Sequence, residues 1–284
     1  CTADLGIPVA IINGRISDKH LPRYQRFSGW LKPVFGRISL ACMQNEEYAE
    51  RIVELGVPRS NVRVTGNTKF DGVALDVNRD EVRDLREACG IREDASVLVF
   101  GSTRPGDERL AAECWNILKN EFPELILVLV PRHTERTEEV MAFFSNEKIL
   151  LRSRLKQGAK PAGERVLIVD VMGELVKFYA MAALAVIGGS FYPGVNGHNP
   201  LESAALGIPT VFGPYMRNFI DPARALISAG GARQVKSPDD LAEVLVGLLS
   251  DSAERARLAT RGREAVLANR GAIERTLDAI FPLL

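Results

Sequence analysis

Residues able to bind phosphate and sugar hydroxyls follow several predicted strands. The richest set begins with a Gly-Gly-Ser run at 188–190 and continues through His198. Asn199 is a good N-cap and Pro200 fits the first helical position, so we expect a helix to start there and to point N–H groups into the loop. Glu202, in its first turn, can accept hydrogen bonds from two vicinal hydroxyls, such as those of a ribose. The alternative is a Glu that only complements the helix dipole.

Three other loops have similar potential. Residues 102–108 place small hydroxyls and Gly before a helix, where N–H groups can hold an anion or form an ordinary cap. Arg132 can grip phosphate with two hydrogen bonds, and His133 beside it could donate another. Gly173 could let the backbone approach a ligand, or could serve a tight turn. Ligands of open parallel sheets bind at the carboxyl ends of strands, so these loops are the predicted site.

Two features of the first 75 residues can also carry chemistry. Lys69 follows a Gly turn at a strand end, where it could offset negative charge on a leaving group or a substrate carboxylate. Residues 15–37 combine one acid, Asp18, with a set of cations and aromatics: Arg15, Lys19, Arg23, Arg26, Lys32 and Arg37, with Tyr24, Phe27, Trp30 and Phe35. This basic segment could meet phosphate head groups or an anionic membrane surface, or could be a solvated helix face with core aromatics.

The elements that must position these residues alternate between strands and helices, which predicts βα units on parallel sheets. A polar stretch at 72–80 indicates a boundary between a partial α/β domain, 1–75, and a complete one, 76–284. Residues 155–164 are predicted to be an exposed loop. The predicted strands are Pro8–Ile12, Ser39–Met43, Asn61–Val64, Ser96–Gly101, Leu125–Val130, Val166–Val169, Leu184–Ile187 and Thr210–Phe212.

Composition narrows the class of protein. The 284 residues carry 36 Lys plus Arg and 36 Asp plus Glu, so no global field draws the chain to nucleic acid. Cys1, Cys42, Cys89 and Cys114 are far apart, which argues against a zinc site and a disulfide scaffold. Acidic partners at ligand spacing are missing around the histidines, so we expect no metal site. No apolar run reaches the roughly 18 to 20 residues of a membrane span.

The ordered motifs resemble those of the Kdo transferases, glycosyltransferases that add 3-deoxy-D-manno-octulosonic acid (Kdo) to a lipid A precursor. The resemblance extends over nearly the whole chain. The matching runs are NGRISDKHLPRYQRF at 13–27, QNEEY at 44–48, VTGNTKFD at 64–71, STRPGDE at 102–108, VPRHTER at 130–136, MGELVKFY at 172–179, GGS at 188–190, GHNPLESAALGIPTVFGP at 197–214 and RNF at 217–219.

The resemblance implies an α/β fold with GT-B architecture. It has a Rossmann-like C-terminal domain that binds CMP-Kdo, the latter part of a Rossmann-like N-terminal domain that binds the acceptor, and a final helix that crosses back to the first domain. It implies inverting transfer of Kdo to lipid IVA at the cytoplasmic face of the bacterial inner membrane, without a metal or other cofactor. Lys69 matches a residue assigned to transition-state stabilisation. The matching donor-binding positions are Pro131, Arg132, Met172, Gly173, Glu174, Asn199, Pro200, Leu201 and Glu202.

Two departures from the family pattern matter. The general base of the family is a Glu early in the first domain, and a second Glu precedes a Trp-Pro-Asn segment; neither motif occurs here. We therefore expect this chain to begin after them and to be inactive in transfer by itself. Arg104 stands where the family usually has His, which leaves its phosphate contact open.

Two other functions fit parts of the pattern. The GNT turn at 66–68 also occurs in UDP-N-acetylglucosamine 2-epimerases of the same fold, and a preference for UDP over CMP would indicate such an enzyme. A non-catalytic nucleotide-sugar binding module is the third possibility.

Overall fold

The computed structural model describes residues 5–283 and divides the chain into two compact units. The first unit comprises the residues up to 72 together with those from 267 onward, and the second comprises residues 73–266. The predicted boundary at 75–76 is therefore shifted by three residues. The predicted second domain, 76–284, extends too far, because the last 18 residues belong to the first unit.

Hydrogen bonds to Asp71 and Thr65 explain this correction. The Asp71 carboxylate accepts from the backbone N–H groups of Gly271 and Ile273, at 2.6 and 2.8 Å. The Thr276 hydroxyl lies 2.9 Å from that of Thr65. The end of the chain thus completes the first unit, as the family resemblance implies for the final helix.

The first unit contains a parallel sheet of three strands in the order β1-β2-β3. A small apolar core, which includes Met43, Tyr48 and Ile52, packs against this sheet. The elements are β1 (Ala10–Gly14), α1 (Leu21–Arg26), α2 (Ser28–Phe35), β2 (Leu40–Met43), α3 (Glu46–Glu54), β3 (Val62–Val64) and, from the end of the chain, α13 (Ala272–Ile280).

The second unit is a Rossmann-like α/β layer structure. Its strands are β4 (Val97–Thr103), β5 (Ile126–Pro131), β6 (Ile149–Leu151), β7 (Val166–Ile168), β8 (Leu184–Ile187), β9 (Thr210–Phe212) and β10 (Arg233–Gln234). Its helices are α4 (Arg79–Ala88), α5 (Asp107–Glu121), α6 (Thr137–Ala142), α7 (Arg152–Lys156), α8 (Leu175–Ala180), α9 (Leu201–Ala205), α10 (Ile220–Ser228), α11 (Leu241–Ser250) and α12 (Ser252–Ala268).

The seven strands of the second unit are parallel and follow the order β10-β9-β8-β4-β5-β7-β6. After β4 the chain builds the sheet in one direction through β5, β6 and β7, and then returns to the other side of β4 with β8. The point where the order reverses therefore lies between β4 and β8. Crevices at such points, at the carboxyl ends of the strands, are where ligands of this class of sheet bind.

Apolar side chains explain why the central strands form. β5 and β8 are buried along almost their whole length, as expected for strands covered on both faces. Leu98 and Phe100 of β4 pack with Trp115 of α5 in one continuous core. The eight predicted strands are all present, with ends that differ by no more than two residues, whereas β6 and β10 were not predicted. Part of the predicted loop at 155–164 is also helical, since α7 includes Leu155 and Lys156.

The basic segment forms two short helices, α1 and α2, with no buried residue in either. Trp30 is 86% exposed and Phe27 is 50% exposed, so these aromatics are not core residues. Phe35 packs partly against the core of the first unit. The acid of the segment, Asp18, pairs with Arg51 of α3. The segment therefore presents both cations and apolar rings to solvent.

Two further sequence expectations concern thiols and membrane spans. Cys42, Cys89 and Cys114 are buried free thiols, and Cys1 lies outside the described residues. Between residues 5 and 283, no helix is both long and apolar enough to cross a bilayer.

Candidate functional site

The loops that follow β4 and β8 are joined by the carboxylate of Asp107, the first residue of α5. Its Oδ2 atom accepts the N–H of Arg104 at 2.8 Å and the N–H of Gly189 at 2.6 Å. Asp107 is only 1% exposed, and burial raises its pKa to about 6 despite these two hydrogen bonds. Asp107 therefore fixes the two loops of the switch point against each other.

Glycines in the Gly-Gly-Ser run allow this close approach. A Cβ atom on Gly188 would lie 2.6 Å from the carbonyl oxygen of Ser102 and 2.7 Å from the Cα of Thr103. Gly189 has a φ of 66°, a conformation that favours glycine. The Ser190 hydroxyl donates to the Ile187 carbonyl at 2.6 Å and accepts the N–H of Gly213 at 2.8 Å. The run is thus a tightly packed turn, and its main role in the structure is to shape the loop.

Arg104, in the loop after β4, contacts two histidines. Its Nε donates to His198 Nε2 at 3.2 Å, and its Nη1 lies 2.6 Å from His133 Nε2. Burial, followed by the charges of Arg104 and Arg132, lowers the pKa of His198 to about 4. His198 is therefore neutral at neutral pH. Residues from the loops after β4, β5 and β8 meet here.

Arg132 and Glu202 complete the charged part of this edge. Arg132 is exposed, and within residues 5–283 its guanidinium has no hydrogen bond or ion pair. Burial raises the pKa of Glu202, while a 3.3 Å hydrogen bond from Asn199 Nδ2 and the charge of Arg132 act in the opposite direction. The guanidinium of Arg132 therefore lies close enough to the half-buried Glu202 carboxylate to interact with its charge.

The start of α9 differs slightly from the prediction. The helix begins at Leu201, and Pro200 occupies the cap position, because Asn199 forms a turn of its own. The Asn199 side chain accepts the N–H of Leu201 at 3.1 Å. The expected Asn cap is therefore one residue earlier, and one of the expected free N–H groups is already occupied.

A buried ion pair supports the β4 and β5 loops from below. Glu108 is fully buried and accepts hydrogen bonds from the Thr103 hydroxyl and from Arg136 Nη1, both at 2.9 Å. Arg136 also forms two bonds with Glu139 at the surface. The sequence does not predict this pair, because the burial of Glu108, in the first turn of α5, is not visible in the local sequence.

The predicted turn at 172–174 lies after β7, at the same edge of the sheet. Met172 is exposed, and Gly173 has a φ of 86° with open space where a Cβ would point. The Glu174 carboxylate is bound by Arg152 at 2.7 Å and Lys156 at 2.8 Å, and despite burial these cations hold its pKa below the usual value. A ligand here would meet the backbone and Met172 more readily than the Glu174 side chain.

Lys69 belongs to the first unit, in a 3₁₀ turn (Thr68–Phe70) that follows β3. The Asn67 side chain accepts the N–H of Lys69 at 3.0 Å, and the Asn13 side chain accepts the N–H of Thr68 at 3.3 Å. Gly66, with a φ of 97°, packs against Ala272 of α13. The turn that carries Lys69 is therefore held from several sides within the first unit.

Comparison with known proteins shows which enzymes the chain resembles. Residues 1–72 match the family model for 3-deoxy-D-manno-octulosonic-acid transferase (kdotransferase). The 3-deoxy-D-manno-octulosonic acid transferase of Haemophilus influenzae is 32% identical over 280 residues, which cover 98% of this chain and 65% of that protein. The chain is similar to the Kdo transferases over almost its whole length. It spans about two thirds of the length of this relative.

Solved structures of similar fold include one domain of a Kdo transferase. The C-terminal CMP-Kdo binding domain of WaaA from Acinetobacter baumannii is 27% identical, with a TM-score of 0.60, over 66% of this chain and 96% of that one. UDP-GlcNAc 2-epimerase from Neisseria meningitidis has a TM-score of 0.61 over 99% of this chain and 71% of that one, but only 14% identity, so it shares the fold alone. The expected α/β fold of the GT-B class is confirmed.

The motifs of the second unit that resemble those of Kdo transferases converge at the carboxyl edge of one sheet. Pro131 and Arg132 follow β5, the turn at 172–174 follows β7, and residues 199–202 follow β8. Their individual roles stay predictions. Asp107, Glu108, Arg136 and Arg152, which the sequence did not single out, hold these loops in place.

Proposed function

We propose that this chain contributes the donor-binding part of a Kdo transferase, an enzyme that transfers Kdo from CMP-Kdo to a lipid A precursor, lipid IVA, in lipopolysaccharide biosynthesis. An acceptor hydroxyl attacks the anomeric carbon, CMP departs, and the configuration inverts. The observation that carries the proposal is the meeting of Arg132, Glu202 and Arg104 at the switch point of the second sheet, in a chain of this family.

The charges of this edge fit a nucleoside monophosphate. The Arg132 guanidinium has no hydrogen-bonding partner among residues 5–283 and can bind an anionic phosphate bidentately. Glu202 is half-buried beside Asn199, where a carboxylate can accept both hydroxyls of a ribose. Exposed Met172 and the open backbone at Gly173 supply surface for the cytosine base, whereas Pro131 and Leu201 are buried and position the residues that follow them.

Lys69 is proposed to act in the same reaction. Departing CMP gains negative charge in the transition state, and fixed cations stabilise such charge because they need no reorganisation during the reaction. The rigid turn that carries Lys69 supports this role.

No metal is part of the proposal, so binding of CMP should be the same in EDTA as in Mg²⁺.

Calorimetry with CMP tests the donor site. We expect the wild-type chain to bind CMP, and Glu202→Gln to raise the Kd about tenfold, because a charged hydrogen bond contributes roughly 1.5 kcal/mol or more. Glu243→Gln is the matched control, since Glu243 is an exposed residue of α11. Its Kd for CMP should equal that of the wild type.

Two results would contradict the assignment. If the wild type bound UDP more tightly than CMP, the epimerase alternative would be favoured. If CMP bound but Glu202→Gln had no effect, the ribose role of Glu202 would be wrong. A separate result would favour the binding-module alternative. In that case a longer chain of the family, supplied with the acceptor, would bind CMP but transfer no Kdo.

We also propose that the basic segment meets the lipid acceptor and the cytoplasmic surface of the inner membrane. The exposed cations Lys19, Arg23 and Arg26 lie close in sequence to exposed Phe27 and Trp30. A cavity of about 420 Å³ lies among His20, Arg23, Tyr24, Phe27 and Leu31. Cations beside apolar rings are the combination that binds anionic lipid at an interface.

Sedimentation with vesicles tests this surface. We expect Lys19, Arg23 and Arg26, all changed to Ala, to weaken binding to vesicles of phosphatidylcholine and phosphatidylglycerol by about 100-fold, since each cation near an anionic surface contributes about 1 kcal/mol. The control removes the same charge elsewhere, at Arg59, Arg79 and Arg83, and should bind almost as well as the wild type. Equal losses in both variants would show only a net-charge effect and would contradict the proposal.

A further inference from the structure

Arg104 lies between two histidines from other loops, His133 and His198, which are 29 and 94 residues away in sequence. We propose that Arg104 binds the phosphate of the donor nucleotide, and that His133 and His198 are positioning residues that hold its guanidinium in place. The inference rests on the proposed donor site and assigns a role to a residue at which this chain departs from the usual family pattern.

Donor and acceptor chemistry decides which atoms face the ligand. A guanidinium has five N–H donors and no acceptor, so the Nε2 atoms of both histidines must accept from Arg104. Each ring is therefore the tautomer that carries its proton on Nδ1. His133 Nδ1 lies 3.2 Å from a carboxylate oxygen of Glu135, which fits this tautomer. Because both Nε2 atoms are occupied as acceptors, His133 does not donate a hydrogen bond from Nε2 to a phosphate.

The surrounding charges keep His198 neutral. Arg104 and Arg132 face His198 from the loops after β4 and β5, and together with burial they disfavour its imidazolium form. Glu135 faces His133, and Glu202 faces Arg132 from α9. Asp107 accepts only backbone N–H groups, including that of Arg104. The guanidinium thus contacts imidazole rings and no carboxylate that would cancel its positive charge.

Two of the five N–H donors of Arg104 point to the histidines. The other three, including both on Nη2, have no partner within residues 5–283 and are available to an anion. A side chain fixed before binding loses less conformational entropy when the ligand arrives. A lysine could supply the charge, but it has no planar fork that can contact two histidines and a phosphate together.

Calorimetry with CMP and with cytidine tests the phosphate contact, since the two ligands differ only in that group. For Arg104→Ala we expect the Kd for CMP to rise about tenfold and the Kd for cytidine to stay within twofold of the wild-type value. The Kd of Arg104→Lys for CMP should lie between those of the wild type and Arg104→Ala. Thermal unfolding of each variant checks its fold, and Arg104→Lys carries the test alone if Arg104→Ala does not fold.

A second pair of variants tests the positioning role. His198→Gln keeps an acceptor oxygen for Arg104 and should retain most of the affinity for CMP, whereas His198→Leu should lose several-fold with cytidine unaffected. If His198 had a purely structural role, each variant would lose affinity for CMP and for cytidine to the same extent.

The outcomes separate this inference from the proposed function. If the wild type does not bind CMP, the proposed donor site fails. If CMP binds and the ratio of the CMP and cytidine affinities is unchanged in folded Arg104→Ala or Arg104→Lys, the phosphate role of Arg104 is overturned. If His198→Leu equals His198→Gln, the positioning role of His198 is overturned.

Discussion

Replacement of Glu108 by Ala should lower the free energy of unfolding of the protein by about 3 kcal/mol, because it removes the partner of a buried charge. Glu108 is fully buried, and the change leaves Arg136 Nη1 and the Thr103 hydroxyl without the acceptor that they share. Arg136 keeps its bonds to Glu139, so we expect the lower part of the range for broken buried pairs. Thermal unfolding should show a midpoint lower by roughly 10 °C.

Glu139→Ala is the matched control, since Glu139 binds the same guanidinium from the surface and its side chain is 55% exposed. Exposed ion pairs contribute at most about 1 kcal/mol, so this variant should unfold close to the wild-type temperature. Similar midpoints for the two variants would contradict a special role for the buried carboxylate. Both variants remove a carboxylate that binds Arg136, and the two carboxylates differ in their burial.

Gly188→Ala should abolish most of the affinity for CMP, by roughly 100-fold, because the new methyl group cannot fit between the loops after β4 and β8. Its Cβ would lie 2.6 Å from the Ser102 carbonyl, whereas ordinary contacts begin at 3.4 Å, so the backbone must move by about 0.8 Å. The atom it meets is backbone and cannot rotate away. That displacement also separates Asp107 from the N–H of Gly189. Calorimetry measures the loss of affinity.

Gly247→Ala provides the control for the same chemical change. Gly247 lies in α11 with open space at its Cβ position, and Ala is the better helix former by about 1 kcal/mol. This variant should be slightly more stable than the wild type and bind CMP normally. Normal CMP binding by folded Gly188→Ala would mean that the contact between the two loops does not shape the donor site.

The course of the central strands could be predicted from the sequence because they are apolar throughout. β8 and β9 match the prediction residue for residue, and β5 is shifted by one residue. β6 has only three residues and leads directly into α7, so it has no flanking turn signal. β10 has two exposed polar residues, Arg233 and Gln234, and forms only because β9 offers it a partner. Such strands are created by tertiary structure, not by local pattern.

The donor site shows the same division. Loops at strand ends could be found because parallel strands place them at one edge, and the family motifs lie in those loops. The pairing of Arg104 with His198 could not be found, because 94 residues separate them and no spacing rule links one loop to the other. Likewise, nothing in the sequence shows that Glu174 is already bound by Arg152 and Lys156.

The return of α13 to the first unit has a consequence for how the protein folds. Asp71 and Gly271 are 200 residues apart, so their contact closes a loop that contains the entire second unit. During synthesis, the early residues of the first unit emerge well before the segment that completes it. The entropic cost of closing this loop falls once the second unit is compact, because a folded unit and not a flexible chain then connects Asp71 to Gly271. We therefore expect the second unit to fold first and the first unit to be completed last, opposite to the order in which they begin along the chain.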